Sequence, residues 1–187
     1  LYYKKYTKLK NAEVAMKEQL AKTEKELLYI ESVADAISRA ETDPEFDDIR
    51  AELEESGYFR AKIKGKRKKQ LSKPIEYKVD GGYTVRVGRN NIQNDALTFS
   101  AAKGDIWFHV KNAPGSHTIL YAGGEEPSAL AYTQAAMIAA YHSSLQGAPS
   151  VAVDYALVRF VKKPTGSAPG FVNYTHYYTA FVKAELP

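Results

Sequence analysis

The thirteen residues from Asp105 to His117, DIWFHVKNAPGSH, hold an aspartate, the chain's only tryptophan, two histidines and a lysine. Such a set suits two chemistries. An aromatic ring beside cations can stack on an unpaired base while the cations hold phosphate. Imidazoles with a carboxylate can move protons or bind a metal. Read as a strand, Asp105 to Lys111 alternates: Ile106, Phe108 and Val110 face one way, and Asp105, Trp107, His109 and Lys111 face the other. An indole on an otherwise polar face suits stacking; an indole buried under a helix is the plain structural alternative. Asp105 and His109 share a face but stand about 13 Å apart along an extended strand, too far for a direct pair. Ser116-His117 has no placed acid, and the histidine spacing fits no metal-ligand pattern. No phosphate-loop or dinucleotide glycine motif occurs. Hydrogen-bonded structural imidazoles are therefore expected, with no catalysis, no metal and no cofactor.

Phosphate recognition needs cations, and their distribution is uneven. Residues 1–59 carry nine Lys/Arg against fourteen Asp/Glu, whereas residues 60–69, RAKIKGKRKK, carry seven cations and no acid. The formal charge of +4 thus has a local source. Such a block binds polyanions or serves as a solvated linker. Its candidates are Lys62, Lys64, Lys66, Arg67, Lys68 and Lys69. Arg86 and Arg89 flank a Val-Gly turn, and Lys162 and Lys163 precede the glycine loop PTGSAPG. Together with Trp107, His109 and Lys111 these form the candidate nucleic-acid-binding set. Asn90, Asn91 and Asn94 read equally as helix caps or base contacts.

These groups need elements to position them. Residues 1 to about 40 read as one helix with a heptad seam: Leu9, Met16, Thr23, Ile30 and Ile37, interleaved by Leu20, Leu27 and Ala34. A single seam needs a partner, either a preceding helix upstream of Leu1 or a second copy of the chain. Thr42-Asp43-Pro44 opens a short acidic helix with Phe46, Ile49 and Leu53 on one face, stopped at Gly57. After the basic linker, the texture changes at Pro74. IEYKVD-Gly-Gly-YTVRVG reads as a hairpin. A helix is expected over 90–102, then a strand pair DIWFHV/HTILYA around a tight turn at Pro114-Gly115. An Ala-rich helix from Pro127 to about Leu145 follows, and strands over 151–161 and 171–185 close the chain. The expected fold is α+β: an antiparallel-rich sheet with two helices, preceded by a long coiled-coil helix and a short second helix. The divisions are 1–59, 60–73 and 74–187.

With 44 % hydrophobic residues the 187-residue chain can bury a core. No apolar run approaches the roughly 18 residues of a membrane span. The absence of cysteine excludes disulfides and thiolate chemistry. Beginning at Leu1 inside a helix, the chain reads as a piece of something longer.

GRNNIQND (Gly88–Asp95), followed by DIWFHVKNAPGSH, resembles the NFACT family. YKKYTKLKNAE and its seam look like the second arm of that family's middle coiled coil. DIRAELEESGYF matches the joint after it, and VDYALVRFVKKPTGSAPGFVNY the last signature of the C-terminal RNA-binding domain. The family includes ribosome-quality-control factors and Gram-positive proteins named for fibronectin or fibrinogen binding. The resemblance implies a non-catalytic module that binds rRNA and tRNA on obstructed large ribosomal subunits carrying peptidyl-tRNA, in the cytoplasm. Its alternative implication is a fibronectin- or fibrinogen-binding adhesin at the cell surface, for which the sequence shows no anchor. The tRNA-selecting part of the family's N-terminal domain has no match here, so adding alanine tails to stalled chains is not expected of these residues.

Overall fold

The computed structural model describes residues 2–59 and 72–187. Helix α1 (Tyr2–Arg39) is continuous for 38 residues, about 57 Å at the α-helical rise. Burial begins only at Tyr29, and upstream Leu9, Met16, Leu20 and Leu27 are all more than half exposed. The seam expected from the heptads is thus an exposed apolar stripe on a single helix. Helix α2 (Asp43–Glu55) starts after an extended Thr42 and ends at Gly57, whose φ of 83° suits only glycine well. Tyr29, Val33 and Ala36 of α1 pack with Ile49 of α2 in a small core, which Leu53, Ala168 and Phe171 complete. Phe46, expected on that packed face, is instead 45 % exposed.

The remaining elements are β1 (Ile75–Lys78), β2 (Thr84–Val87), α3 (Asn91–Ser100), β3 (Ile106–Val110), β4 (Thr118–Tyr121), α4 (Ala129–Tyr141), β5 (Val151–Leu157), β6 (Val161–Lys162), β7 (Asn173–Tyr174) and β8 (Tyr178–Val182). Six strands form one sheet in the order β1-β2-β4-β3-β5-β8, every neighbouring pair antiparallel. The α+β class read from the sequence is the observed one.

Each face of this sheet is covered by different elements. On one face Ile106, Phe108, Val110, Val85, Val87 and Leu120 meet the alanine stripe of α4. The small side chains allow close helix–sheet approach; Ala131, Ala135, Ala136, Ala139 and Ala140 are all buried. On the other face Trp107 and Ile119 meet Leu97 of α3 and Val158 and Val161 near the start of the β6–β7 ribbon.

Three sequence expectations change in detail. The strand expected over 151–161 breaks at a 3₁₀ turn, Val158–Phe160, after which the chain leaves the main sheet to pair as β6 with β7. The strand expected over 171–185 divides into β7 and β8 at His176, whose φ is 51°. The tight turn at Pro114-Gly115 is a longer loop between β3 and β4, anchored by a bridge from Gly115 to Ser143.

Candidate nucleic-acid interface

Trp107, expected on a polar face, is 1 % exposed. Alternation along β3 is as read, but α3 and the β6–β7 ribbon cover the second face, so the indole is interior, with only a sliver of its surface lining a cleft. Its ring centroid lies 4.7 Å from Tyr174, 5.8 Å from a nearly parallel His109 and 5.3 Å from an edge-on His117. The indole N–H finds no acceptor among the described residues. Above this cluster opens a cleft of about 580 Å³, walled by Leu28 and Ser32 of α1, Pro114 of the β3–β4 loop, and Phe171 and Tyr174.

Burial decides the chemistry of the histidines. His117 is buried, with Nδ1 at 2.8 Å from Thr98 Oγ1, and burial beside the His109 imidazole pushes it down to about 3. Burial likewise lowers His109, and burial beside Arg39 and Arg89 brings His142 down to about 4. These rings are neutral at pH 7 and serve as packing and hydrogen-bonding groups. Asp105 accepts from the Ala102 and Ala122 backbone N–H groups at 2.8 and 3.0 Å, so its carboxylate ties down turns. Among the described residues no group of three or more His, Asp and Glu is arranged to hold a metal.

A pH dependence follows. The unfolded chain holds the imidazole proton more tightly than the folded one, so stability falls as pH drops below the free histidine value of about 6.5. The urea midpoint is expected to be clearly lower at about pH 5 than at about pH 7. Equal midpoints would contradict the buried, neutral imidazoles.

The asparagines and Arg89 have structural employment. Asn90 is the N-cap of α3, its side chain accepting from the Gln93 N–H at 2.9 Å. Asn91 donates from Nδ2 to Ser32 Oγ and to Glu52 Oε1, both at 2.9 Å, linking α3 to α1 and α2. Asn94 Oδ1 accepts the His117 backbone N–H at 3.0 Å. Arg89 pairs with Glu45 of α2 and donates from Nε to the Lys73 carbonyl at 2.8 Å. Burial disfavours the Glu45 carboxylate, but the Glu41 and Thr42 backbone N–H groups and the Arg89 charge outweigh it and hold the carboxyl below its ordinary range. Arg39, at the end of α1, bridges Asp35 to Ser116 Oγ, which itself donates to the Gly88 carbonyl. The signature segments GRNN, APGSH and TGSAPG therefore converge where the helical arm meets the sheet. Sequence reasoning missed Asp35, Arg39, Glu45, Glu52 and Ser116 as members of this joint. Its one visible signal was the Thr42/Glu45 capping spacing at the head of α2.

Known proteins match nearly the whole chain in sequence, and one solved structure shares its architecture. The NFACT N-terminal and middle domains family matches residues 1–72. The Rqc2 homolog RqcH of Bacillus subtilis is 40 % identical over 188 residues, covering 98 % of this chain and 32 % of that protein. RqcH of Streptococcus suis is 41 % identical over 175 residues, covering 92 % and 31 %. The C-terminal structure of the fibronectin/fibrinogen-binding protein from Streptococcus suis superposes with a TM-score of 0.91 at 38 % identity, covering 98 % of this chain and 74 % of that one. The chain belongs to the NFACT family. It spans about a third of the length of the curated relatives it matches.

In this NFACT chain most of the candidate cations of the sheet domain already face an acid. Arg86 Nε lies 3.0 Å from Glu76 Oε2, with its guanidinium over the Tyr121 ring. Lys111 Nζ lies 3.6 Å from buried Asp154 and over the Tyr177 ring. Lys163 Nζ lies 2.6 Å from Asp95 and 2.9 Å from the Ala168 carbonyl. Lys162 is exposed and has no acidic partner among the described residues. The block from Lys62 to Lys69, including Lys66, Arg67 and Lys68, lies outside the described residues. No described helix is long and apolar enough to cross a membrane.

Proposed function

We propose that this chain is a non-catalytic RNA- and ribosome-binding part of an NFACT-type ribosome-quality-control factor, acting in the cytoplasm on obstructed large subunits that carry peptidyl-tRNA. The observation that carries the reading is the joint. The family signatures are spent on holding the long helix and α2 against the sheet domain, through Arg39–Ser116, Arg89–Glu45 and Asn91–Glu52. That geometry suits reaching across a large surface and docking at two separated points. The relatives carry the name Rqc2 homolog RqcH at about 40 % identity, which supports the ribosomal setting. The exposed seam of α1 suits a second helical arm from upstream in the parent protein, or a second copy of the chain. Bond making is not part of this reading, since the neutral imidazoles and the turn-capping Asp105 are used structurally.

The test is a salt-resolved titration against purified large subunits, with immobilised fibronectin in parallel. Wild-type protein is expected to bind subunits steeply with salt. Replacing Lys66, Arg67, Lys68 and Lys69 by Ala should flatten the plot of log K against log salt, by about 0.7 to 0.9 for each phosphate no longer neutralised. An unchanged slope rejects that block as a phosphate site. Salt-tolerant, saturable fibronectin binding without subunit affinity would replace the ribosomal reading by the adhesin one.

A further inference from the structure

We infer that the outward face of the β6–β7 ribbon is a contact site for a short unpaired RNA segment; the inference rests on the RNA-binding reading above and names where single strands would lie. Strand alternation divides this ribbon cleanly. Val161 and Tyr174, paired directly, turn inward onto Trp107. Lys162 and Asn173, the next pair, turn outward and are exposed. Phe160 continues the outward row, joined to Thr175 by the Thr175 N–H to Phe160 carbonyl bond of 3.2 Å.

The outward row carries both parts of single-strand recognition. Phe160 and exposed His176 are stacked, with ring centroids 4.5 Å apart and planes inclined by 26°. The Arg159 guanidinium lies over the Phe160 ring at 5.0 Å. His176 holds this place at a φ of 51°, a left-handed conformation uncommon for a side-chain-bearing residue and often found where function needs it. Lys103 joins the same end of the domain, its carbonyl accepting the Arg159 N–H at 3.3 Å.

Charge sets this face apart within the sheet domain. Arg86, Arg89, Lys111, Lys163 and Lys183 each have an acidic partner. Lys103, Arg159 and Lys162 have none among the described residues, and all three are exposed. Lys73 and Lys78 also lack one there, but they bracket the edge strand β1, and Lys78 donates to Thr84 Oγ1 at 2.6 Å. An aromatic stack with an unneutralised guanidinium over it, on a ribbon that also carries exposed Lys162, fits a strand that offers both a π-face and a phosphate at each residue. A base-paired duplex hides its faces and fits less well. An acidic peptide would satisfy the charges but leave the stack unused.

The experiment uses the whole chain and fluorescent single-stranded oligoribonucleotides, with a duplex of the same sequence, a polyglutamate competitor and large subunits alongside. Phe160→Ala is expected to weaken single-strand binding about tenfold, within the range seen for loss of one stacked base. His176→Asn, which tolerates the left-handed backbone but removes the ring, should weaken it in the same direction. Arg159→Gln with Lys162→Gln should reduce the salt slope by about 1.4. Thermal unfolding of each variant confirms that it is folded. Folded variants that bind single strands like wild type, duplex preference, or full displacement by polyglutamate each overturn the assignment. If wild type binds subunits but no oligonucleotide, the ribbon assignment fails and subunit docking stands; if it binds neither, both fail.

Discussion

Trp107→Ala is expected to lower the unfolding free energy by about 3–5 kcal/mol, the range for truncating a large buried aromatic. For a chain of this size that corresponds to a fall in melting temperature of about 10 °C. The cause is packing. Trp107 is 1 % exposed and touches the α3 and β6–β7 side of the sheet through Leu97, Val161 and Tyr174. Ala there leaves a hole bounded by a sheet and by helix α3, neither of which can close it. Trp107→Phe separates this role from base stacking. It retains a ring against Tyr174 and removes an indole N–H that has no acceptor among the described residues. Its cost should be well below that of Ala, and its RNA affinity should equal that of wild type. A folded Trp107→Phe protein with weakened single-strand binding would instead mean that the cleft above the indole admits a base.

Gly88→Ala is expected to cost about 3 kcal/mol, from a change of one methyl group. A Cβ at this position would sit 2.2 Å from Asn94 Oδ1, 3.0 Å from the Asn94 backbone N and 3.2 Å from its Cα. The side-chain oxygen can rotate away, but the backbone of α3 cannot move without disturbing Asn91 and its bonds to Ser32 and Glu52. Rotation of Asn94 also strips the buried His117 N–H of its acceptor. The glycine of the GRNN signature thus sets how closely α3 approaches the β2 end and, through α3, how the arm is seated. Gly104→Ala is the control, since its Cβ would meet nothing within 4 Å and its φ is not positive. Chemical denaturation of the two variants decides the matter. Equal stabilities would mean that the close approach is not required.

Local chemistry made much of the fold legible in advance. The hairpin, the Ala-rich helix and the inward set Ile106, Phe108 and Val110 follow from alternation and turn residues, because those patterns depend on neighbours a few positions apart. The seam of α1 follows from heptad spacing in the same way. Helix ends were less accurate: α4 stops at Tyr141, short of the expected Leu145, because His142 takes up a non-helical conformation and contacts Tyr77.

The candidate site was less legible, for a physical reason that Arg89 illustrates. A cation in a motif has the same appearance in sequence whether it waits for phosphate or pairs with a carboxylate 44 residues away, as Arg89 does with Glu45. Asn91 and Asn94 pose the same problem, since an amide that caps, bridges or reads a base is one residue type. Arg159, Phe160 and His176 carry no signal in the sequence, because their stack brings together residues sixteen positions apart across a ribbon that exists only after β5 breaks away.

By itself the sequence determined the α+β class, the heptad arm, the local basic block and the membership in a family, since each is written in short-range spacing or in the identity of contiguous residues. Only the tertiary structure decided which cations are neutralised, that Trp107 is interior, and that the family signatures build a joint. Burial and pairing are properties of long-range contacts, and the free energy of a charge or ring depends on what lies against it rather than on what precedes it in the chain.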